Sequence, residues 1–204
     1  MTAPAAGDLL ALDAAAQDLL FRAAHTANTF TDEPVTDEHI HAIHDLIRYG
    51  PTAFNAQPLR ILLLRSPAAR QRLLPHLAEA NRAKTAAAPL TAILAADTAF
   101  HEHLPQVFPH RPGLADRLGT DPAGRHAQAR FNAALQIGYL IVGIRAAGLA
   151  AGPMAGFDPA GVDREFFPDG RLRALLVVNI GRPGPHAWDG RLPRLTHDDI
   201  VRTA

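Results

Sequence analysis

The chain has 204 residues, 48% hydrophobic and 20% charged, enough apolar material for one globular domain over residues 1–204 with a loose N-terminus at 1–8. Lys plus Arg equals Asp plus Glu at 20 each, so no net field draws in nucleic acid or an anionic membrane, and base-stacking aromatics are few. There is no cysteine, which excludes disulfides, thiolate nucleophiles and Cys-ligated metal centres and leaves any redox work to a bound organic cofactor.

Met1 to Leu20 carries Asp8, Asp13 and Asp18 without a basic run, unlike a secretory leader, and no apolar run reaches membrane-spanning length, so a cytoplasmic protein is expected. Leu9, Leu10, Leu12, Ala16, Leu19, Leu20 and Ala23 recur at near-helical spacing and predict a first helix ending around His25 to Asn28. Thr36 reads as the N-cap of a second helix, with Asp37 and Glu38 in its first turn, Ile40, Ile43, Leu46 and Ile47 on one face and Gly50 as its stop. Leu59 to Arg65, Leu90 to Ala96 and Leu172 to Ile180 are continuous apolar runs that predict three buried strands. Ala68 to Ala88 reads as helical. Ala123 to Gly148 reads as a central helix, with Phe131, Leu135, Gly138, Val142 and Arg145 near helical spacing. Gly148 to Gly156 reads as a glycine-punctuated loop, Phe157 to Phe167 contains a short helix, Pro183 to Pro193 is a Pro/Gly-rich excursion, and Thr196 caps a last helical turn. Helices and strands without regular βαβ spacing imply an α+β layered domain.

Several chemistries find no motif. His39, His41 and His44 do not set two ligands at i and i+4, and HExxH is absent; His101-Glu102-His103 sits beside Phe100 and Leu104 as a helix or turn edge, so no metal is expected. GxSxG, GxGxxG and P-loop patterns are missing as well. The segment Gly50-Pro-Thr-Ala-Phe-Asn-Ala-Gln-Pro58, between a helix and a strand, stands out. Pro51 and Pro58 stiffen its ends, and Thr52, Asn55 and Gln57 supply short polar groups, although such a turn by itself is usually only a turn.

Four separated segments carry a family resemblance in order: His25-Thr-Ala-Asn28, Pro51-Thr-Ala-Phe-Asn55 with Gln57-Pro58, Asn81-Arg-Ala-Lys84, and Gly152-Pro-Met-Ala-Gly-Phe-Asp158, followed by Arg191-Leu-Pro193. They resemble the FMN-contacting segments of the nitroreductase family, and Leu104 to His110, Gly152 to Asp158 and Arg191 to Leu195 look most like its malonic semialdehyde reductase branch. The resemblance implies a three-layer α+β homodimer with a mainly antiparallel central sheet. It implies FMN as cofactor, NADH or NADPH as donor, and ping-pong hydride transfer to a small aldehyde such as malonic semialdehyde, or to nitroaromatics or quinones. The flavin N5 carries the hydride, so no catalytic side chain is implied. The cofactor contacts implied are His25, Thr26, Asn28, Pro51, Thr52, Ala53, Asn55, Asn81, Lys84, Met154, Ala155, Gly156 and Arg191, with Thr52, Ala53 and Asn55 reaching across the dimer. Taken alone, Asn81 and Lys84 read as a solvated helix face. His25 stands where the family usually has arginine, Ala155 where many members have glutamate and Asp189 where lysine often helps hold phosphate; these departures keep open a flavin-binding protein without turnover, or a cofactor-free dimer retaining the fold.

Overall fold

The computed structural model describes residues 10–204, so Leu9 of the predicted first helix and Asp8 lie outside the described residues. Strand β2 (Leu90–Asp97) is buried along its whole length, as its unbroken apolar run requires when both faces are covered. It pairs with β1 (Leu59–Leu64) on one side and β4 (Leu172–Gly181) on the other, and β3 (Ala150–Met154) adds to the far edge of β4. The order is β1-β2-β4-β3, and every pairing is antiparallel.

Successive strand side chains alternate between faces, and that alternation builds two cores. Leu90, Ala92, Leu94, Val178 and Ile180 pack with Ile43 of α2 (Asp37–Ile47) and with Ile137, Leu140 and Ile144 of α7 (Pro122–Ala146). Ile93, Ala95, Ala174 and Val177 pack on the opposite side with Leu73 of α3 (Pro67–Leu73) and Val162 of α8 (Pro159–Phe166). A third cluster joins Ala129 and Ala133 of α7 to Phe100, to Leu104 of α5 (Leu104–Val107), and to Leu114 and Leu118 of α6 (Leu114–Gly119). The result is the expected α+β architecture, a central antiparallel sheet between helical layers.

Three predicted boundaries move, each for a physical reason. The first helix is short: α1 (Ala14–Gln17), capped by Asp13 Oδ1 accepting from Ala16 N at 2.8 Å, passes into a π turn over Asp18–Arg22 and stops before His25. Its freed carbonyls go to arginines, with Arg145 Nε donating to Leu19 O at 2.9 Å and Arg191 donating to Arg22 O at 2.6 Å and Ala24 O at 3.2 Å. Ala27 and Asn28 instead donate their N–H groups to Ala151 O and Ala187 O, both at 3.0 Å. The stretch Ala68 to Ala88 is two helices, α3 and α4 (Glu79–Ala87), separated by a tight turn over Leu74–His76 where Pro75 removes a helical donor.

Gly148 to Gly156 is not a loop, since Ala150–Met154 forms the edge strand β3. Pro153 is tolerated there because an edge strand leaves one side unpaired. Gly152 is needed for a different reason: a Cβ at that position would lie 2.6 Å from the Ala27 carbonyl oxygen, so only glycine lets the 27–28 segment close over the strand. The last predicted turn is present as α9 (His197–Ile200), with Thr196 and Asp199 forming a capping box.

Candidate functional site

Helix α4 is fixed to the sheet by a buried polar relay. Thr91 Oγ1 of β2 donates to Asn179 Oδ1 of β4 at 2.9 Å, Asn179 Nδ2 donates to Thr85 Oγ1 of α4 at 3.2 Å, and Thr85 Oγ1 lies 3.8 Å from Met154 Sδ at the end of β3. Thr85, Thr91 and Asn179 are fully buried, where an unpaired polar group costs ~1–3 kcal/mol, so their mutual bonds set α4 against the β3 terminus. This brings Asn81 and Lys84, one helical turn apart and both half-buried, alongside residues 154–156. Asn81 Nδ2 donates to Gly156 O at 3.1 Å, and Ala78 N donates to the same carbonyl at 2.9 Å. A Cβ on Gly156 would come within 3.0 Å of Asn81 Nδ2, so the glycine keeps the backbone close to the amide. Ala155 and Gly156 are exposed, whereas Met154 turns its side chain into the core.

Lys84 leads to the second part of the site. Its Nζ donates to Asn28 Oδ1 at 3.4 Å, and Asn28 Nδ2 donates to Asp189 Oδ2 at 2.9 Å. Around this line opens a cleft of about 230 Å³, lined by His25, Thr26, Asn28, Asp189, Arg191 and Arg194 among others. His25 lies with its ring centroid 5.8 Å from that of Trp188. Arg191, held by the carbonyls that end the π turn, presents its guanidinium beside His25 and Thr26. Burial first, and the charge of Arg191 second, push the Arg145 guanidinium below its ordinary pKa, which marks two cations gathered at one helix end. Arg22 does not join them, because it pairs with Asp18 at 2.8 Å.

The Pro51–Pro58 segment forms a separate construction. Asn132, an inward-facing polar residue of α7, accepts from Ala53 N at 2.7 Å and donates Nδ2 to Gln128 O at 2.9 Å. Thr52 Oγ1 accepts from Gln57 N at 3.2 Å, and Asn55 Nδ2 donates to Val107 O at 2.9 Å, tying the loop to α5. Phe54, Asn55 and Gln57 have φ of 57°, 50° and 45°, three non-glycine residues with positive φ on either side of a right-handed Ala56. Such a backbone costs ~1–3 kcal/mol per residue and persists only where its surroundings over-determine it.

The predicted residues thus fall into two groups. His25, Thr26, Asn28 and Arg191 line one cleft, Lys84 bonds Asn28, and Asn81 on the same helix as Lys84 bonds Gly156 next to Ala155; Pro51, Thr52, Ala53 and Asn55 belong to the loop, and among the described residues no hydrogen bond links the groups. Sequence reasoning missed Asn132, Thr85 and Asn179, which position the other residues. The available signal was polarity at a helix or strand position otherwise facing the core. Among the described residues, no group of three or more His, Asp or Glu is arranged to hold a metal, and no helix is long and apolar enough to cross a membrane. The first group fits FMN in chemistry: cationic and hydroxyl donors line the cleft, and an amide, an ammonium and exposed backbone at 155–156 lie beyond it. Among the described residues, Asp189 is the one carboxylate of the cleft lining, and Asn28 engages it.

Comparison with known proteins identifies the family. Residues 21–182 match the profile of the Nitroreductase family. A Streptomyces coelicolor protein provisionally named NADH dehydrogenase/NAD(P)H nitroreductase is 63% identical over 194 residues, covering 95% of this chain and 98% of its own length. Among solved structures, one titled a nitroreductase in complex with FMN, from Exiguobacterium sibiricum, has a TM-score of 0.80 at 16% identity, covering 95% of this chain and 98% of that one. The Bacillus subtilis nitroreductase ydfN, likewise provisionally named, gives 0.80 at 18%, covering 94% of this chain and 100% of that one.

Proposed function

Because the chain belongs to the nitroreductase family, we propose that it is an FMN-dependent NAD(P)H oxidoreductase. FMN, when bound, supplies a centre that accepts hydride from a reduced nicotinamide and passes it to an acceptor. The observation that carries this reading is the cleft that Arg191, His25 and Asn28 line together, with Lys84 bonded to Asn28 and, one turn away on the same helix, Asn81 bonded to Gly156. Arg191, His25 and Thr26 would hold the phosphate end of FMN. Asn81 retains its amide Oδ1 for a ring N–H while its Nδ2 is engaged by Gly156, and the Lys84 ammonium stabilises negative charge near it, which favours a reduced ring. The 155–156 main chain is exposed and offers N–H groups. With no side-chain acid or base required, positioning and electrostatics are what the protein contributes.

In this reading the protein is a homodimer in which Thr52, Ala53 and Asn55 of one protomer close the cofactor site of its partner. Support comes from the separation of the two residue groups and from the exposed apolar side chains Leu46, Tyr49, Phe131, Leu135 and Tyr139 on α7 and at the end of α2. The acceptor is a small aldehyde such as malonic semialdehyde, with nitroaromatics and quinones as further acceptors, and the setting is the cytoplasm. The test is to purify the protein, read its visible spectrum and add NADH or NADPH without oxygen. The yellow colour should bleach. A protein that stays yellow is a flavin binder without turnover, and one that is colourless and takes up no added FMN is a cofactor-free dimer; either outcome overturns the proposal.

A further inference from the structure

A second cleft, of about 200 Å³, lies beside the Pro51–Pro58 loop and is lined by Leu104, Pro105, Phe108, Pro109, Arg111 and Pro112 among others. Its lining is mainly apolar, and it is stiff, since three prolines fix their φ angles; the cleft is small, and an apolar lining suits the body of a small conjugated molecule. Phe54 and Phe108 meet edge to face at 5.8 Å, and Phe108 meets His110 at 5.3 Å. The Arg111 guanidinium sits 5.9 Å from the Phe54 ring centroid. Among the described residues, Arg111 has no carboxylate within ion-pair distance.

A guanidinium at cation–π distance from a ring keeps N–H groups free, and its planar edge matches a carboxylate in two parallel bonds. Phe54 is also the residue whose left-handed backbone the loop sustains, and the neighbouring Asn55 is tied to Val107 beside Phe108. The strained turn therefore sets an aromatic face beside the Arg111 cation at the mouth of a small apolar cleft.

We infer that Arg111 and Phe54 form an acceptor-selecting mouth that favours small planar acceptors carrying a carboxylate, with Arg111 gripping the carboxylate and Phe54 and Phe108 flanking the conjugated group. The inference rests on the proposed function, in which this loop lies over the partner protomer's cofactor. Stacking of neutral conjugated molecules needs only the rings, so the selection belongs to the arginine.

The experiment compares kcat/KM for 4-nitrobenzoate and nitrobenzene, with NADH or NADPH as donor, in the wild type, Arg111→Gln and Arg111→Lys. The wild type should prefer the nitrobenzoate; Arg111→Gln should lower the ratio about tenfold, and Arg111→Lys should recover part of it through charge alone. Because both acceptors are read on one preparation, a variant that folds less well lowers both rates and leaves their ratio. A ratio that Arg111→Gln does not change overturns the inference while the reductase stands. A wild type that reduced nicotinamide does not bleach overturns the proposed function and this inference with it.

Discussion

Arg191 holds the carbonyls of Arg22 and Ala24, and the turn it secures carries His25 and Thr26 into the cleft that Arg191 also lines. The residue therefore has two tasks: it supplies a charge, and it shapes the turn beside that charge. Asp189 opposes it in sign within the cleft lining, and Asn28 engages the carboxylate without neutralising it. At ~4 Å two unit charges interact by about 1 kcal/mol in water and more where water is partly excluded, so each residue should be felt by a bound phosphate. Arg191→Ala is expected to weaken FMN binding about tenfold or more, while Asp189→Asn strengthens it. A flavin fluorescence titration of both variants checks the pair, and an unchanged affinity in Arg191→Ala would remove it from the phosphate end. Arg191→Lys should recover only part of the loss, because a point charge cannot span two carbonyls and an anion as a planar fork does.

At the scale of elements, the crossing of α2 and α7 depends on one glycine. A Cβ at Gly143 would stand 2.4 Å from Ile47 Cγ2 and 3.4 Å from Ile43 Cγ2, so the helices meet where α7 has no side chain. Gly143→Ala gains up to ~1 kcal/mol of helix propensity but overpacks a filled core at a cost of ~1–3 kcal/mol, and the net effect should be destabilising. Urea denaturation reads it as a lower midpoint at unchanged slope; a raised midpoint would mean the helices separate freely. Elements were legible in proportion to how local their causes are. Helix α2 carries its own cap, first-turn acids and apolar face, and β2 carries eight buried residues in a row, so both stood out. Strand β3 is five residues containing Gly152 and Pro153, held by pairing with β4, and α1 ends where Arg145 and Arg191 arrive from distant parts of the chain. The Pro51–Pro58 loop announced itself through its prolines and short polar residues. Asn81 and Lys84 did so only through family resemblance, because their meaning depends on Thr85 and Asn179, whose buried bonds exist only after folding.

At the scale of the whole molecule, the loop and the cleft are each well built, yet among the described residues no hydrogen bond joins them. Phe131, Leu135 and Tyr139 recur at i, i+4 and i+8 along α7 and are 66%, 43% and 47% exposed, with Leu46 and Tyr49 exposed at the end of α2. The C-terminal stretch adds Leu192 and Leu195, both exposed by more than two thirds. Scattered exposed leucines are ordinary, but a stripe at helical spacing on α7 is the kind of apolar surface that a protein interface covers. If that copy brings its Pro51–Pro58 loop to the partner's cleft, dimerisation and flavin binding are linked equilibria, and each must shift with the other. Two consequences follow that a self-contained site would not share. Diluting the wild type through its dimer dissociation range should release FMN, and Leu135→Glu or Phe131→Glu should yield a folded monomer with both lower sedimentation and lower flavin affinity. Sedimentation velocity read at a protein wavelength and at the flavin band on the same sample measures the two together, and a monomer that keeps full flavin affinity would show that each chain completes its own site.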